Sequence, residues 1–134
     1  MESKVFPVHL QISPTKTSFE VDLDPVKGQL LFRGMSYPEN AREFFRPVLK
    51  WVRQMTVIAG KPLRVVFQVE YFNTSTLRYL YEILELLNRY RNAGNRLDVE
   101  YWHASGSEDL LETWRELMDE LDMPFRQVEY AGNL

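Results

Sequence analysis

The residues best suited to chemistry are four consecutive polar residues, Asn73, Thr74, Ser75 and Thr76. Each side chain can accept a hydrogen bond from an unpaired backbone N–H group at the start of a helix. The positive end of the helix dipole would also stabilise a phosphate there. One cap needs only one such residue, and Arg78 follows Thr74 by one turn, where it could pair with an added phosphate. The cluster therefore predicts either a plain helix cap or a phosphate-accepting site.

The elements on either side of this cluster are predicted to be a strand and a helix. Residues Leu63–Phe72 are dense in β-branched and aromatic side chains, which favour a strand. After the cluster, apolar residues recur with the spacing of one helical face as far as about Asn92. Gly94 suits the position just past the helix end. The buried stripe of this helix is predicted to be Leu77, Leu80, Ile83, Leu84 and Leu87.

A hairpin is predicted upstream of these elements. Apolar residues alternate with acidic ones from Phe19 to Asp24, and Asp24–Gly28 has the composition of a turn. Gln29–Gly34 would then be the second arm. Val5–Ile12 alternates only weakly, and Pro7 confines any strand there to a sheet edge because it lacks an N–H donor.

The first helix is predicted to run from about Ala41 to about Ile58. Asn40 with Glu43 three residues later fits a capping box. Pro47 conflicts with this prediction, because a proline inside a helix removes one hydrogen bond. The sequence therefore predicts either a kink near Glu43 or a helix that starts closer to Arg46.

The last third of the chain predicts a strand, a helix and a short strand. Leu97–Trp102 alternates, Ser105 and Glu108 resemble a second capping box, and Leu110–Leu121 carries a helical stripe. Phe125–Tyr130 completes the order. The fold class is therefore α/β, a single domain over residues 1–134 with residues 1–18 as an N-terminal extension. Strands that alternate with helices predict a mixed, mostly parallel sheet of about four to six strands with about three helices.

Composition excludes several classes of function. The formal net charge is −3 and basic residues never form a run, so nucleic acid is not the expected partner. The chain has no cysteine, which excludes disulfides and thiol chemistry. It has no apolar run of bilayer length and no signal-peptide pattern, so we expect a cytoplasmic protein without membrane insertion.

Candidate catalytic groups are sparse. The two histidines, His9 and His103, have no metal-ligand spacing, so neither a metal nor another cofactor is expected. Acidic residues on the predicted strands could pair as acid and base, but alternating exposed charges on a wet sheet face explain them more simply: Glu20, Asp22, Asp98 and Glu100. We therefore expect no enzyme. Aromatic residues exceed what a small core buries and allow a partner-binding face: Tyr71, Tyr79, Tyr81, Tyr90, Tyr101 and Trp102.

Four segments together resemble the SiaC family of bacterial regulatory phosphoproteins. They are Ser36-Tyr-Pro-Glu-Asn40, Trp51-Val52, Tyr71-Phe-Asn-Thr-Ser75 and Ile83-Leu-Glu-Leu-Leu87, and the resemblance runs from about Phe19 to Tyr130. Residues 1–18 and Pro47 depart from the pattern. That family is similar in fold to anti-sigma-factor antagonist (STAS) domains, in agreement with the α/β order.

The resemblance implies a non-enzymatic switch. A kinase would phosphorylate Thr74, or less favourably Ser75 or Thr76, and a metal-dependent Ser/Thr phosphatase would reverse the reaction. The unphosphorylated protein would bind and activate a GGDEF-type diguanylate cyclase and so raise cyclic di-GMP and favour biofilm. The partner surface it implies consists of Ser36, Tyr37, Pro38, Glu39, Asn40, Tyr71, Asn73, Thr74, Ser75 and Arg78. An anti-sigma-factor antagonist and a small ligand-binding α/β domain are the alternatives.

Overall fold

The chain alternates strands and helices after an initial run of three strands. The computed structural model describes residues 6–131. Among these residues none of the helices combines the length and apolar character needed to cross a bilayer. In chain order the elements are β1 (Leu10–Ile12), β2 (Glu20–Asp24), β3 (Gln29–Ser36), α1 (Ala41–Thr56), β4 (Leu63–Phe72), α2 (Thr74–Asn92), β5 (Leu97–Ala104), α3 (Leu111–Glu120) and β6 (Arg126–Tyr130).

The six strands form one sheet whose spatial order follows the chain, β1-β2-β3-β4-β5-β6. β1, β2 and β3 pair antiparallel, and β3 to β6 pair parallel. Since each right-handed crossover advances in the same direction, all three helices lie on one face. The predicted mixed, mostly parallel sheet with three helices and an N-terminal hairpin is confirmed.

The core lies between this face of the sheet and the helices. Phe32 of β3 stacks on Phe67 of β4 with ring centroids 4.9 Å apart. Trp114 of α3 packs 4.8 Å from both Phe67 and Tyr101. The predicted stripe of α2 is confirmed, because Leu80, Ile83, Leu84 and Leu87 are fully buried, although Leu77 is only partly buried. Gly94 follows the helix end with a φ of 98°.

Helix α1 begins where the capping residue predicts. The Asn40 side chain accepts a hydrogen bond from the Glu43 backbone N–H at 3.2 Å. The Glu43 carboxylate does not complete the box and instead pairs with Arg46 at 2.8 Å. The alternative start near Arg46 is therefore wrong, and Pro47 lies inside a helix that ends at Thr56, two residues before the predicted end.

The capping box predicted at Ser105 and Glu108 is wrong. α3 begins at Leu111, and its N-cap Leu110 makes no side-chain capping bond. The Ser105 N–H donates to the Tyr130 carbonyl at 2.7 Å, so it extends the contact between β5 and β6. Ser107 and Leu111 donate to carbonyls three residues earlier, which makes this connection two turns before the helix starts.

The beginning of the described chain packs against the sheet edge. Only Leu10–Ile12 forms a strand, and Val5, the first residue of the predicted one, lies outside the described residues. β1 pairs with β2 alone, which agrees with the edge position predicted from Pro7. The Trp51 indole N–H donates to the Val8 carbonyl at 2.6 Å.

Candidate functional site

Helix α2 starts one turn earlier than its apolar stripe indicates, and Asn73 rather than a threonine caps it. The Asn73 side chain accepts from the Thr76 N–H at 3.0 Å, and Thr74 is the first helical residue. Thr74 and Ser75 are exposed. The Thr74 hydroxyl makes no hydrogen bond with any of residues 6–131. Since Asn73 supplies the cap, Thr74 is not needed for one, and its hydroxyl is open to a modifying enzyme.

Two buried hydroxyls hold this junction in place. The Thr76 hydroxyl donates to the Ser36 carbonyl at 2.9 Å and accepts from the Ser36 hydroxyl at 2.8 Å. The Asn73 N–H also donates to the Ser36 carbonyl, at 3.1 Å. The Ser36 and Thr76 side chains are fully buried. In this conformation the Thr76 hydroxyl is not accessible to a modifying enzyme, and Ser36 positions α2 against β3.

A β-bulge turns Tyr71 outward beside the junction. Gly34 pairs with Val69 and Met35 with Tyr71, so Glu70 is an extra residue in β4. The bulge reverses the alternation of β4, so Phe72 enters the core while Tyr71 is 45% exposed. The Tyr71 ring meets the Tyr37 ring edge-on at 5.9 Å. Together with Met35 these rings form an exposed patch, here called the aromatic patch.

The remaining predicted partner residues surround this patch at the carboxyl ends of β3 and β4. Tyr37 is 40% exposed, and its N–H is held by the Thr17 carbonyl at 2.7 Å. Pro38 is half-buried, whereas Glu39 and Asn40 are exposed in the loop to α1. Asn73 is half-buried because its side chain serves as the cap.

Arg78 lies on the exposed side of α2, one turn after Thr74. Its guanidinium carbon is 6.0 Å from the centroid of the Tyr79 ring, and it forms no ion pair within the described part of the chain. Thr74 and Arg78 line one side of an open groove of about 380 Å³, and Thr113 and Glu116 of α3 line the other. A phosphate on Thr74 would thus have an unpaired cation on the same helix face.

The sheet carboxylates pair with basic residues, and no two of them pair with each other among residues 6–131. Glu20 pairs with Arg33, Asp22 with His9, and Asp98 with Arg96. The prediction that all four are exposed holds for Asp98, whereas Glu20 and Asp22 are half-buried and Glu100 is buried. Arg64 donates to both Glu100 oxygens at 2.8 and 3.1 Å, and Arg126 and the Trp102 indole N–H also contact it. These bonds, the Arg64 pair above all, outweigh the effect of burial and lower the Glu100 pKa to about 2.

His103 lies near two carboxylates that no spacing in the sequence groups with it. One nitrogen of the His103 ring and one carboxylate oxygen each of Glu108 and Glu129 lie within 4.8 Å of one another, close enough to be considered as metal ligands. However, its Nε2 accepts from the Gln127 amide at 2.8 Å, and its Nδ1 donates to the Ala104 carbonyl at 3.1 Å. The ring is therefore a satisfied core histidine.

The sequence prediction missed three arginines on the outer face of α1, Arg42, Arg46 and Arg53. They line a second groove of about 480 Å³ together with Arg78, Tyr79 and Glu82 of α2. The signal was present, because positions 42, 46 and 53 recur with helical spacing on the face opposite the buried stripe. The three arginines did not lead to a prediction of a basic surface, because they are separated along the chain and form no run.

The fold and the junction together define a class of protein, an α/β domain that presents an exposed hydroxyl at a helix N-terminus. The chain belongs to the SiaC family of regulatory phosphoproteins, whose family model matches residues 12–130. An uncharacterized protein of Pseudomonas aeruginosa (strain UCBPP-PA14) is 28% identical over 116 residues, which cover 87% of this chain and 92% of that protein.

Solved structures from Pseudomonas aeruginosa share the fold. One is the crystal structure of the diguanylate cyclase SiaD in complex with its activator SiaC, matched with a TM-score of 0.85 and 27% identity over 90% of this chain and 99% of that chain. Another is apo-SiaC, matched with a TM-score of 0.74 and 28% identity over 92% of this chain and 98% of that chain.

Proposed function

We propose that this chain is a non-enzymatic phospho-switch whose unphosphorylated form binds and activates a diguanylate cyclase. A kinase would phosphorylate Thr74, and a metal-dependent phosphatase would remove the phosphate. The observation that carries the proposal is the exposed, unbonded Thr74 hydroxyl beside the aromatic patch. Both the kinase and the cyclase need nucleoside triphosphates, so the proposal places the chain in the cytoplasm.

The relatives support the cyclase as partner. In the matched complex SiaC is the activator of the cyclase SiaD, and this chain matches that structure with 27% identity over 90% of its length. The fold also favours binding over catalysis. Ligand crevices of open α/β sheets lie where the strand order reverses, and the order does not reverse among the described strands.

The physics of the modification fits a switch. A phosphate adds a charge of about −1.5 to −2 at neutral pH. At the N-terminus of α2 this charge is tolerated by the helix dipole, so the fold should survive. A partner packed against the neutral hydroxyl would instead have to desolvate a dianion. That costs several kcal/mol, or about a thousandfold or more in affinity.

The test is a binding titration of wild type, Thr74→Ala and Thr74→Asp against the cyclase encoded beside the gene, with cyclase activity read in the same samples. Wild type and Thr74→Ala should bind and activate. Thr74→Asp carries only part of the phosphate's charge and should weaken binding at least about tenfold. In vitro phosphorylation of wild type should weaken binding further.

Asn92→Asp is the matched control, because it adds one negative charge to an exposed residue at the other end of α2. It should bind as wild type does. Equal binding by wild type and Thr74→Asp would refute Thr74 as the switch, and the same change at Ser75 would then be tested. Absence of wild-type binding, with an anti-sigma kinase copurifying instead, would favour the anti-sigma-antagonist alternative.

A further inference from the structure

The groove between α1 and α2 concentrates positive charge on one surface of the described chain. Arg42, Arg46 and Arg53 line it from α1, and Arg78 lines it from α2. Among residues 6–131, Glu82 is the one acidic residue in its lining. The whole chain carries a formal net charge of −3, so this concentration of cations is local. We call it the arginine groove.

Packing between the two helices fixes the arginine groove. The Phe45 ring of α1 stacks on the Tyr79 ring of α2 with centroids 5.2 Å apart and planes at 9°. Val48 and Val52 bury the inner face of α1, so its arginines point away from the core. The walls are therefore set by rigid elements, and only the arginine side chains need to order when a ligand binds.

Three of the four arginines have no ion-pair partner in the described part of the chain. Arg46 pairs with Glu43 at 2.8 Å, but Arg42, Arg53 and Arg78 form no ion pair with any carboxylate of residues 6–131. Elsewhere on the same chain, arginines find acidic partners, as Arg33, Arg64 and Arg96 do. Unpaired guanidinium groups on two facing helices are suited to carboxylates, which they bind through two parallel hydrogen bonds.

We infer that the arginine groove is a docking site for an acidic segment of the partner cyclase. This inference rests on the proposed function and deepens it, since it names the chemistry by which the partner is recognised. Charge complementarity selects the occupant, because a carboxylate-rich segment supplies anions for the three arginines that have no ion-pair partner among residues 6–131. Opposite charges across the interface would speed association and suppress wrong partners.

Phosphorylation of Thr74 could also weaken cyclase binding through the arginine groove. Arg78 lines both the arginine groove and the groove that contains Thr74. A phosphate on Thr74, one turn away, would pair with Arg78 and withdraw it from the arginine groove. Phosphorylation would thus repel the acidic segment and remove one of its four cations.

The test is to measure the affinity of the purified full chain for the cyclase in variants that reverse one charge. Arg42→Glu and Arg53→Glu should each weaken binding at least about tenfold at low salt, and Arg53→Ala should have a smaller effect. Because the interaction is electrostatic, wild-type affinity should fall as salt rises, and both charge-reversal variants should show a shallower salt dependence.

Arg42→Glu separates binding from folding. Position 42 lies in the first turn of α1, where a negative charge is favoured by the helix dipole, so this variant should be at least as stable as wild type. Lys27→Glu is the matched control. It makes the same charge change on an exposed turn at the end of β3 away from the junction and should alter affinity less than about twofold.

Each outcome decides the inference. Selective loss of cyclase binding in the two groove variants supports it. If wild type binds the cyclase and the groove variants bind as well as Lys27→Glu does, the inference is wrong while the proposed function stands. If wild type does not bind the cyclase, both fail. If the groove variants keep cyclase binding, and a parallel titration shows that wild type binds cyclic di-GMP and the variants do not, the occupant is a nucleotide and the inference is overturned.

Discussion

At the scale of single residues, the buried pair Ser36 and Thr76 decides where Thr74 is presented. Thr76→Val keeps the side-chain shape but removes the donor to the Ser36 carbonyl and leaves the buried Ser36 hydroxyl without an acceptor. We expect the free energy of unfolding to fall by about 1–3 kcal/mol. Ser36→Ala leaves the Thr76 bond to the carbonyl intact and should cost less, about 0.5–1.5 kcal/mol.

Urea unfolding of both single variants and the double variant would measure this coupling. Because the two hydroxyls share a hydrogen bond, the double variant should lose less stability than the sum of the single losses. Ser75→Ala removes an exposed hydroxyl from the same helical turn and should change stability by less than about 0.5 kcal/mol. Additive losses would show that the pair does not act as one unit.

At the scale of elements, periodicity predicted nearly every strand and helix, because each buries one face against a single core. Elements whose limits depend on tertiary contacts were harder to predict. Helix α3 starts later in the chain than predicted, because Ser105 does not cap it and instead bonds to the Tyr130 carbonyl of the neighbouring strand. The bulge at Glu70, which exposes Tyr71, depends on the register between β3 and β4, and the sequence of β4 alone does not specify that register.

In the candidate site, too, features that depend on neighbouring residues could be predicted, and contacts between distant residues could not. Capping preferences and the family resemblance pointed to Thr74 and its neighbours. Sequence could not show that Ser36 and Thr76 face each other across the junction, since they are separated by 40 residues. Burial therefore separates residues that present the site, such as Thr74 and Tyr71, from residues that position it.

Pro47 lies inside helix α1, where a proline is expected to lower the stability of the helix. Pro47 is exposed and leaves the Glu43 carbonyl without its usual helical donor. Pro47→Ala restores that donor and removes the ring clash, while the unfolded chain gains some freedom. We expect a net gain of about 1–2 kcal/mol in the free energy of unfolding, read from thermal or urea unfolding.

Lys50→Ala is the control for this change, because it also places alanine at an exposed position of α1. It should change stability by less than about 0.5 kcal/mol. If Pro47→Ala is no more stable than wild type, the helix accommodates the proline without cost. Since Pro47 lies next to Arg46 of the arginine groove, cyclase affinity measured on the same variant would show whether the proline shapes that surface.

At the scale of the whole molecule, the three helices of residues 6–131 cover one face of the sheet and leave the other without a helix. Parallel sheets are usually covered on both faces. Here a network of side chains lies on the open face across β4, β5 and β6, centred on the Glu100 carboxylate. The network shields the middle of the face and ties three strands together, so it should contribute to the stability of the whole sheet.

This network predicts acid sensitivity. The Glu100 pKa is held near 2, below the value of about 4.5 expected in the unfolded chain. Since the folded pKa is depressed, the stabilisation is fully present above about pH 5 and is lost as the pH falls toward 2. The full shift corresponds to roughly 3 kcal/mol, but Arg64 and Arg126 are exposed and screened, so we expect about 1–2 kcal/mol.

Urea unfolding of wild type and Glu100→Gln between pH 7 and pH 3 would test whether the Glu100 charge causes the acid sensitivity. The substituted amide cannot ionise, so the variant should be less stable than wild type at pH 7, and the difference should shrink as the pH falls. Asp98→Asn is the matched control, because Asp98 is exposed on the same strand and its ion pair within residues 6–131 is with Arg96 and not with the Glu100 network. A constant difference between wild type and Glu100→Gln at every pH would mean that Glu100 stabilises the sheet through packing and neutral hydrogen bonds, not through its charge.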